Sequence, residues 1–273
     1  MFIASTHNYL LLFTDKGRCY WLKVHEIPEA GRLSKGRSLA NLIKKEQDEK
    51  ITAFLNVKEF DDKHYIMMVT KEGNIKKTLL SEFSNPRSSG IIAIGLDKKD
   101  KLIDAQLTDG SQDVILGSRE GLAIRFNEKE IRAMGRQASG VRAMKLDKKD
   151  EVVGMVTLKR TATTILVVTD KGFGKRSDVG EYRITRRGGK GIITVKTGEK
   201  NGNMIAIKEA LDNDDIIIVT IKGIIIRQHI KDIRVMGRNT VGVRLISLSP
   251  NDSIAAVATV SAEENENGNG NEE

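Results

Sequence analysis

The sequence predicts an all-β fold of five repeats, each contributing four short strands to the blades of a propeller-like ring. Three observations predict it. Glycines recur in pairs: Gly17, Gly73, Gly121, Gly172 and Gly223 each close a turn led by Thr or Ser, and Gly36, Gly90, Gly140, Gly191 and Gly242 follow them. Successive copies are spaced by 56, 48, 51 and 51 residues in the first set and by 54, 50, 51 and 51 in the second. Between these landmarks lie short runs of β-branched and aliphatic residues stopped by polar turns, which read as strands rather than helices. Only three Pro occur, and no low-complexity linker interrupts residues 1–260, so the repeats read as one domain.

The elements of a repeat follow in order. A first strand precedes the first Gly: Tyr9 to Phe13, Tyr65 to Val69, Val114 to Leu116, Thr164 to Val168 and Ile216 to Val219. The Gly supplies a positive φ and closes a tight hairpin into a second strand. Another strand-like run follows the second Gly, as in Ile91 to Gly95, Val141 to Leu146, Ile192 to Val195 and Val243 to Leu248. A polar turn leads to the last strand, in Ile51 to Asn56, Leu102 to Leu107, Val152 to Leu158 and Ile254 to Val260. The repeats run near 5–57, 58–108, 109–158, 159–209 and 210–260. Phe2 to Ala4 matches the last strand of a further repeat, an orphan N-terminal strand that needs a partner for its edge.

The charge is unevenly placed. The chain of 273 residues carries 45 basic and 37 acidic side chains, but residues 261–273 hold five Glu and no Lys or Arg. Residues 1–260 are therefore strongly basic, and the acidic, Asn- and Gly-rich end reads as a disordered tail able to compete for the same partner. A polyanion is the expected partner. No apolar run is long enough to span a bilayer, and the expected location is the cytoplasm, with the nucleoid. The single Cys19 reads as a small apolar filler on a strand, and His7, His25, His64 and His229 show no metal-ligand spacing. No cofactor is expected.

Cations keep the same register as the glycines. Four residues past the hairpin Gly stand Trp21, Lys77, Arg125, Arg176 and Arg227. Four residues before the second Gly stand Arg32, Pro86, Arg136, Arg187 and Arg238, and Arg87 adjoins the exception. In a ring of equivalent blades these positions would form a belt suited to the phosphates of a bent duplex, contacted without base reading. With their neighbours Lys35, Arg37, Lys76, Arg142, Lys175 and Arg244 they make up the candidate DNA-contacting set. Aromatic residues are only 4% of the chain and keep no common register, which argues against a stacking surface for single strands. The densest basic element is Thr185-Arg186-Arg187-Gly188-Gly189-Lys190-Gly191, whose paired Gly let backbone N–H groups approach an anion flanked by cations.

This loop resembles the signature box of the DNA gyrase A protein's C-terminal domain, which reads Gln, basic, Arg, Gly, Gly, basic, Gly. Six of seven positions match, with Thr185 in place of Gln. The likeness extends to Ser5-Thr6-His7, to Gly135-Arg136-Gln137-Ala138-Ser139-Gly140-Val141 and to Gly237 through Arg244, covering nearly the whole chain. The resemblance implies a β-pinwheel, whose blades exchange strands with their neighbours, and which wraps duplex DNA to support ATP-driven negative supercoiling. It implies as partners the gyrase A N-terminal breakage-reunion domain and the gyrase B protein. Relatives usually have six blades with the principal box in the first. Here five repeats carry the box in the fourth, so a first blade is expected to be missing. The DNA-cleaving Tyr of the family belongs to the N-terminal portion, and Tyr9, Tyr20, Tyr65 and Tyr182 fall in strand or rim contexts, so no catalysis is expected of this chain alone.

Other readings compete. The A protein of topoisomerase IV has a similar C-terminal domain without the box, and the near-complete box favours gyrase. A peptide-binding propeller of WD-repeat or kelch type is disfavoured by the period, the single Trp21 and the lack of recurrent double Gly. Gly172-Phe173-Gly174-Lys175-Arg176-Ser177 resembles the end of a phosphate-binding loop, but Thr169 stands where its first Gly should be and the turn joins two strands.

Overall fold

The computed structural model describes residues 4–29, 38–159 and 163–260. Every regular element among them is a strand or a short 3-10 turn, so the expected all-β fold class is what the chain adopts. The first-strand runs become β1 (Tyr9–Thr14) in the first repeat and β4 (Tyr65–Thr70) in the second. Their hairpin partners are β2 (Arg18–Lys23) and β5 (Asn74–Leu79), and their last strands are β3 (Ile51–Val57) and β7 (Leu102–Thr108). Gly17 and Gly73 sit at φ +74° and +85°, and each donates its N–H to the Thr that opens the turn, at 2.9 and 3.0 Å.

The run after the second Gly goes elsewhere than its own repeat. Only two of its residues form a strand, and they join the hairpin of the preceding repeat. β6 (Ile91–Ile92), from the second repeat, pairs antiparallel with β2, giving the sheet order β3-β1-β2-β6. β10 (Val141–Arg142), from the third repeat, pairs with β5, giving β10-β5-β4-β7. The third repeat keeps β8 (Asp113–Ser118), β9 (Leu122–Asn127) and β11 (Val152–Thr157) and receives β14 (Ile192–Ile193). The fourth keeps β12 (Thr164–Thr169), β13 (Phe173–Asp178) and β15 (Met204–Ala210) and receives β18 (Val243–Arg244). The fifth has β16 (Asp215–Thr220), β17 (Ile225–His229) and β19 (Ile254–Val260), and no fourth strand among the described residues. This exchange is the pinwheel trait that the family resemblance implied. Of Phe2 to Ala4 only Ala4 is described, outside any strand, and the acidic tail lies outside the described residues.

The chain divides into two compact units. One comprises Ala4–Ser111 with Ile131–Ala143 and holds the first two sheets; the other holds the remaining three, from Gln112–Glu130 and the residues after Ala143. In the first unit Leu11, Phe13, Ile66, Met68 and Phe83 are fully buried, and Cys19 is buried with them on β2, where burial pushes its thiol up. A second cluster gathers Leu10, Leu12, Tyr20, Leu22 and Ile43, with Leu39 and Leu42 of the first repeat's own connection packed on it. In the second unit Ile115, Ile165, Val167 and Ile207 form one core, and Leu166, Ile216, Ile218 and Ile230 form the next. Each such side chain contributes about 1.5–3 kcal/mol, so the strands are held by burial as much as by ladder hydrogen bonds.

The exchanged strand explains why the hairpin must end in Gly. At Gly121, φ +86°, an added Cβ would lie 2.3 Å from the Val195 carbonyl oxygen, which belongs to the incoming segment. Gly223 has the same φ and nothing within 4 Å. Gly121→Ala should therefore cost about 3 kcal/mol, from backbone strain plus overpacking, while Gly223→Ala should cost about 1 kcal/mol from strain alone. Urea unfolding midpoints of the two variants check this difference.

Candidate nucleic-acid interface

The box loop lies across the third sheet. Thr185 donates its N–H to the Arg125 carbonyl on β9 at 2.8 Å, and the Lys145 N–H reaches the Gly189 carbonyl at 2.9 Å. Gly188 and Gly191 have φ of +81° and +86°, conformations that let the loop turn tightly and hand its last residues to β14. Beneath the loop is a groove of about 310 Å³, floored by Ala123 and Ile124 and walled by Arg125, Arg183, Arg186 and Lys190. Arg183, Arg186 and Lys190 are exposed. Arg186 has no partner among the described residues. Lys190 meets Asp147 at 2.7 Å, both well exposed. Arg187 turns back instead: its backbone N–H goes to Glu130 Oε2 at 3.1 Å and its Nε to the Glu130 carbonyl at 3.4 Å. A repeat-equivalent groove of about 220 Å³ lies in the first unit, lined by Arg18, Arg87, Gly90, Ile91, Arg136 and Gln137 among others.

The register four residues past the hairpin Gly is a structural joint, which corrects its reading as a belt of phosphate contacts. Lys77 and Arg176 are only 6% and 4% exposed. Lys77 lies with its ammonium 5.0 Å from the centre of the Tyr65 ring. Arg125 binds Asp113 at 2.7 Å and donates Nη1 to the Val179 and Tyr182 carbonyls of the next repeat at 3.0 and 3.2 Å. Arg176 pairs with Asp212 and donates Nε to the Ile233 carbonyl of the next repeat at 2.8 Å. Trp21 does the same with its indole N–H, to the Phe83 carbonyl at 2.9 Å. In three of the five repeats what recurs is a donor aimed at the next repeat's 3-10 turn, and charge is incidental to it. Among the described residues no further repeat lies over Arg227 in the last sheet, and its side chain is 51% exposed beside Asp215.

One residue earlier, Lys76 and Lys175 are completely buried, and they too leave the candidate set. The Lys76 ammonium reaches the Ala93 carbonyl at 2.7 Å and the Arg136 carbonyl. Lys175 reaches the Gly237 carbonyl at 2.7 Å, the Arg238 carbonyl and Thr240 Oγ1. Both pin the loop that precedes an exchanged strand. Burial pushes Lys76 down to about 7 and Lys175 down to about 8, with Glu82 and Glu181 opposing the shift. Under the box loop the same position is Ile124, which is why a groove opens there.

The other expected residues divide. Arg87, Arg142 and Arg244 are exposed, Arg244 over the Phe173 ring at 5.5 Å. Arg136 and Arg238 are half-buried; Arg136 faces Glu82 at 3.8 Å, and Arg238 donates Nη1 to the Ile193 carbonyl at 2.8 Å. Arg32, Lys35 and Arg37 lie outside the described residues. A further register escaped the sequence reading: Arg132, Arg183 and Arg234, eight residues before the second Gly, are all exposed. Counting back from Gly140, Gly191 and Gly242 would have found it. Among the described residues no group of three His, Cys, Asp or Glu could hold a metal ion, and no helix is long and apolar enough to cross a membrane.

The chain's similarities to known proteins agree with the fold. The family model described as DNA gyrase C-terminal domain, beta-propeller, matches residues 8–58, 64–109, 112–159, 163–208 and 214–261. The chain is 43% identical over 264 residues to the DNA gyrase A protein of Haloquadratum walsbyi and 42% identical over 260 residues to that of Salmonella typhimurium. Each match covers 95% of this chain but only 31% and 30% of the relative, so the chain spans under a third of their length. Among solved structures, the C-terminal domain of DNA topoisomerase IV is similar at TM-score 0.86 and 30% identity, covering 95% of this chain and 81% of that one. The DNA gyrase A C-terminal domain is similar at TM-score 0.82 and 26% identity, covering 94% and 83%.

Two outcomes separate joints from free cations. Arg125→Ala should cost about 2–3 kcal/mol by stranding Asp113 and two carbonyls, whereas Arg186→Ala should stay within about 0.5 kcal/mol; chemical denaturation reads both. For Lys76, the folded value near 7 lies below its ordinary 10.5, so between them the unfolded chain holds the extra proton and stability rises with pH. The stability of the wild type relative to Lys76→Met should therefore improve as pH goes from about 7 to about 10, measured by urea midpoints at each pH.

Proposed function

The chain belongs to the DNA gyrase C-terminal domain family, and on that premise we propose that it binds and bends duplex DNA without sequence preference, as the wrapping domain of a gyrase A protein. One observation carries the reading: the groove where Arg183, Arg186 and Lys190 stand exposed around the Gly188-Gly189 backbone. Guanidinium forks suit phosphate oxygens, and Gly leaves the backbone open to close approach. The exposed Arg87, Arg132, Arg142, Arg234 and Arg244 extend the same chemistry to the other loops. Lys190 can exchange Asp147 for a phosphate, because an exposed ion pair is worth little.

Contacts through phosphates position a duplex but do not read its sequence. Bending it costs of order 1–6 kcal/mol per 20–30 base pairs, so several such loops are needed at once. The partners in this reading are the gyrase A N-terminal breakage-reunion domain and the gyrase B protein, which bring strand cleavage and ATP hydrolysis; the chain contributes DNA geometry within a cytoplasmic enzyme. The likeness to the topoisomerase IV domain favours a second reading, in which the same surface binds DNA for that enzyme instead. Gyrase is preferred because the family model and the relatives at 42–43% identity carry its name.

Fluorescence anisotropy with a labelled duplex of several tens of base pairs tests the binding. Affinity should fall steeply between roughly 50 and 200 mM salt. Arg183→Ala with Arg186→Ala should weaken binding about tenfold and lower the log–log salt slope by about 2, while Lys98→Ala with Lys148→Ala leaves both near wild type. Salt-independent affinity, or equal losses in the two pairs, would remove the groove from the interface. Joined to a gyrase A protein that lacks its own C-terminal domain, with gyrase B and ATP, the chain should restore negative supercoiling; relaxation alone would favour the topoisomerase IV reading.

A further inference from the structure

The segments leading into the loops before β10, β14 and β18 each lift two residues clear of the protein, in one register. Each segment starts from a buried anchor: Ile131, Tyr182 and Ile233. Two exposed residues follow, Arg132-Ala133, Arg183-Ile184 and Arg234-Val235. The chain is then caught again. Met134, Thr185 and Met236 donate their N–H to the carbonyls of Lys77, Arg125 and Arg176 at 2.8, 2.8 and 2.9 Å. Short parallel bridges pair Lys77 with Ala133, Arg125 with Ile184 and Arg176 with Val235. An Arg and the residue after it are thereby fixed from both sides and presented to solvent.

The residue after the Arg is the unexpected part, because a polar side chain would suit a solvated loop better. Ile184 is 59% exposed and Val235 is 47% exposed. One exposed aliphatic side chain means nothing alone, but these two stand at the same register, each directly after an exposed Arg. Arg183 and Thr185, on either side of Ile184, line the groove that Arg186 and Lys190 wall. The apolar side chain therefore stands inside a cationic surface. A protein partner covering it would have to strip water from those cations as well. A duplex answers both chemistries at once, with phosphates for the Arg and base faces at the floor of the minor groove for the aliphatic group. Ile and Val are also stiff at χ1, so little freedom is lost on insertion.

We propose that Ile184, and Val235 with a shorter reach, are wedges that enter the minor groove and part neighbouring base pairs, so that the duplex bends most sharply where they touch. The inference rests on the DNA-bending reading above and adds an apolar contact to its ionic ones. Arg183 and Arg234 hold the phosphates beside each wedge. Ala133 keeps the register, but its side chain is too short to enter. No base edge is read; insertion requires only a step that can unstack, which pyrimidine–purine steps do at least cost.

The test uses the full chain and a duplex of several tens of base pairs, with a fluorophore pair at its ends and 2-aminopurine at regular intervals. Energy transfer between the ends reads the bend, and 2-aminopurine brightens when its base unstacks. Saturating wild-type chain should raise both signals. Ile184→Ser, at an exposed position, should keep the wild-type unfolding temperature, weaken binding about fivefold and remove about half of the 2-aminopurine rise, with the log–log salt slope unchanged. Ile184→Met keeps an apolar side chain and should restore both. Ile221→Ser, at an equally bare aliphatic residue of the fifth hairpin, should match wild type throughout. Bending without a 2-aminopurine rise, a rise that Ile184→Ser leaves intact, or a salt slope that falls with Ile184→Ser overturns the wedge and leaves the DNA reading standing. A wild-type chain that binds no duplex removes both.

Discussion

Everything in this chain depends on one constraint: no repeat can finish its own sheet. The hairpin leaves the edge of its second strand open, and the segment beyond the next repeat's second Gly closes it. The close approach at the hairpin Gly, the side-chain donors on the second strand and the buried ammonium groups all serve that closure. Trp21, Arg125 and Arg176 reach carbonyls of the following turn, and Lys76 and Lys175 reach the Arg136 and Gly237 carbonyls of the following loop. Each is a donor that satisfies backbone oxygens which the exchange would otherwise leave unpaired.

The cations therefore fall into two populations with opposite physics. Lys76, Lys77, Lys175 and Arg176 have lost their water and found fixed partners inside the protein, so little field from them reaches solvent. Arg87, Arg132, Arg183, Arg186, Arg234 and Lys190 keep their hydration and their freedom to meet a phosphate. The loops before β10 and β18 belong to both populations, fixed from below and cationic above. In the third sheet Ile124 stands in place of a Lys, and the loop there spans a hollow.

Strands, turns and the all-β class were legible because their causes are local. A Gly at positive φ after a β-branched run marks a hairpin whatever surrounds it, and all five hairpins lie where that pattern put them. The destination of the two-residue strands was not legible from periodicity, which is identical whether Ile91 joins its own sheet or the one before; only the family likeness carried it. The belt was misread for a similar reason. A cation repeated at a fixed register looks the same whether a ligand or the neighbouring repeat imposes it. Trp21 held the clue, since an indole shares with Arg an N–H donor and not a charge. Lys76 and Lys175 held another, standing where the other repeats place Tyr20, Ile124 and Ile226.

Strand exchange also sets a clock on synthesis. Cys19 waits for Ile91, Ile75 for Val141, Ala123 for Ile192 and Gly174 for Val243, in each case a partner about 70 residues further along the chain. At roughly 5–20 residues per second on the ribosome, each hairpin spends of order 4–14 s with its edge uncovered while the next repeat emerges. The molecule must then be completed in one direction, each of the first four sheets sealed by the repeat after it, and the nascent chain carries a sticky edge near the exit tunnel while each of them waits.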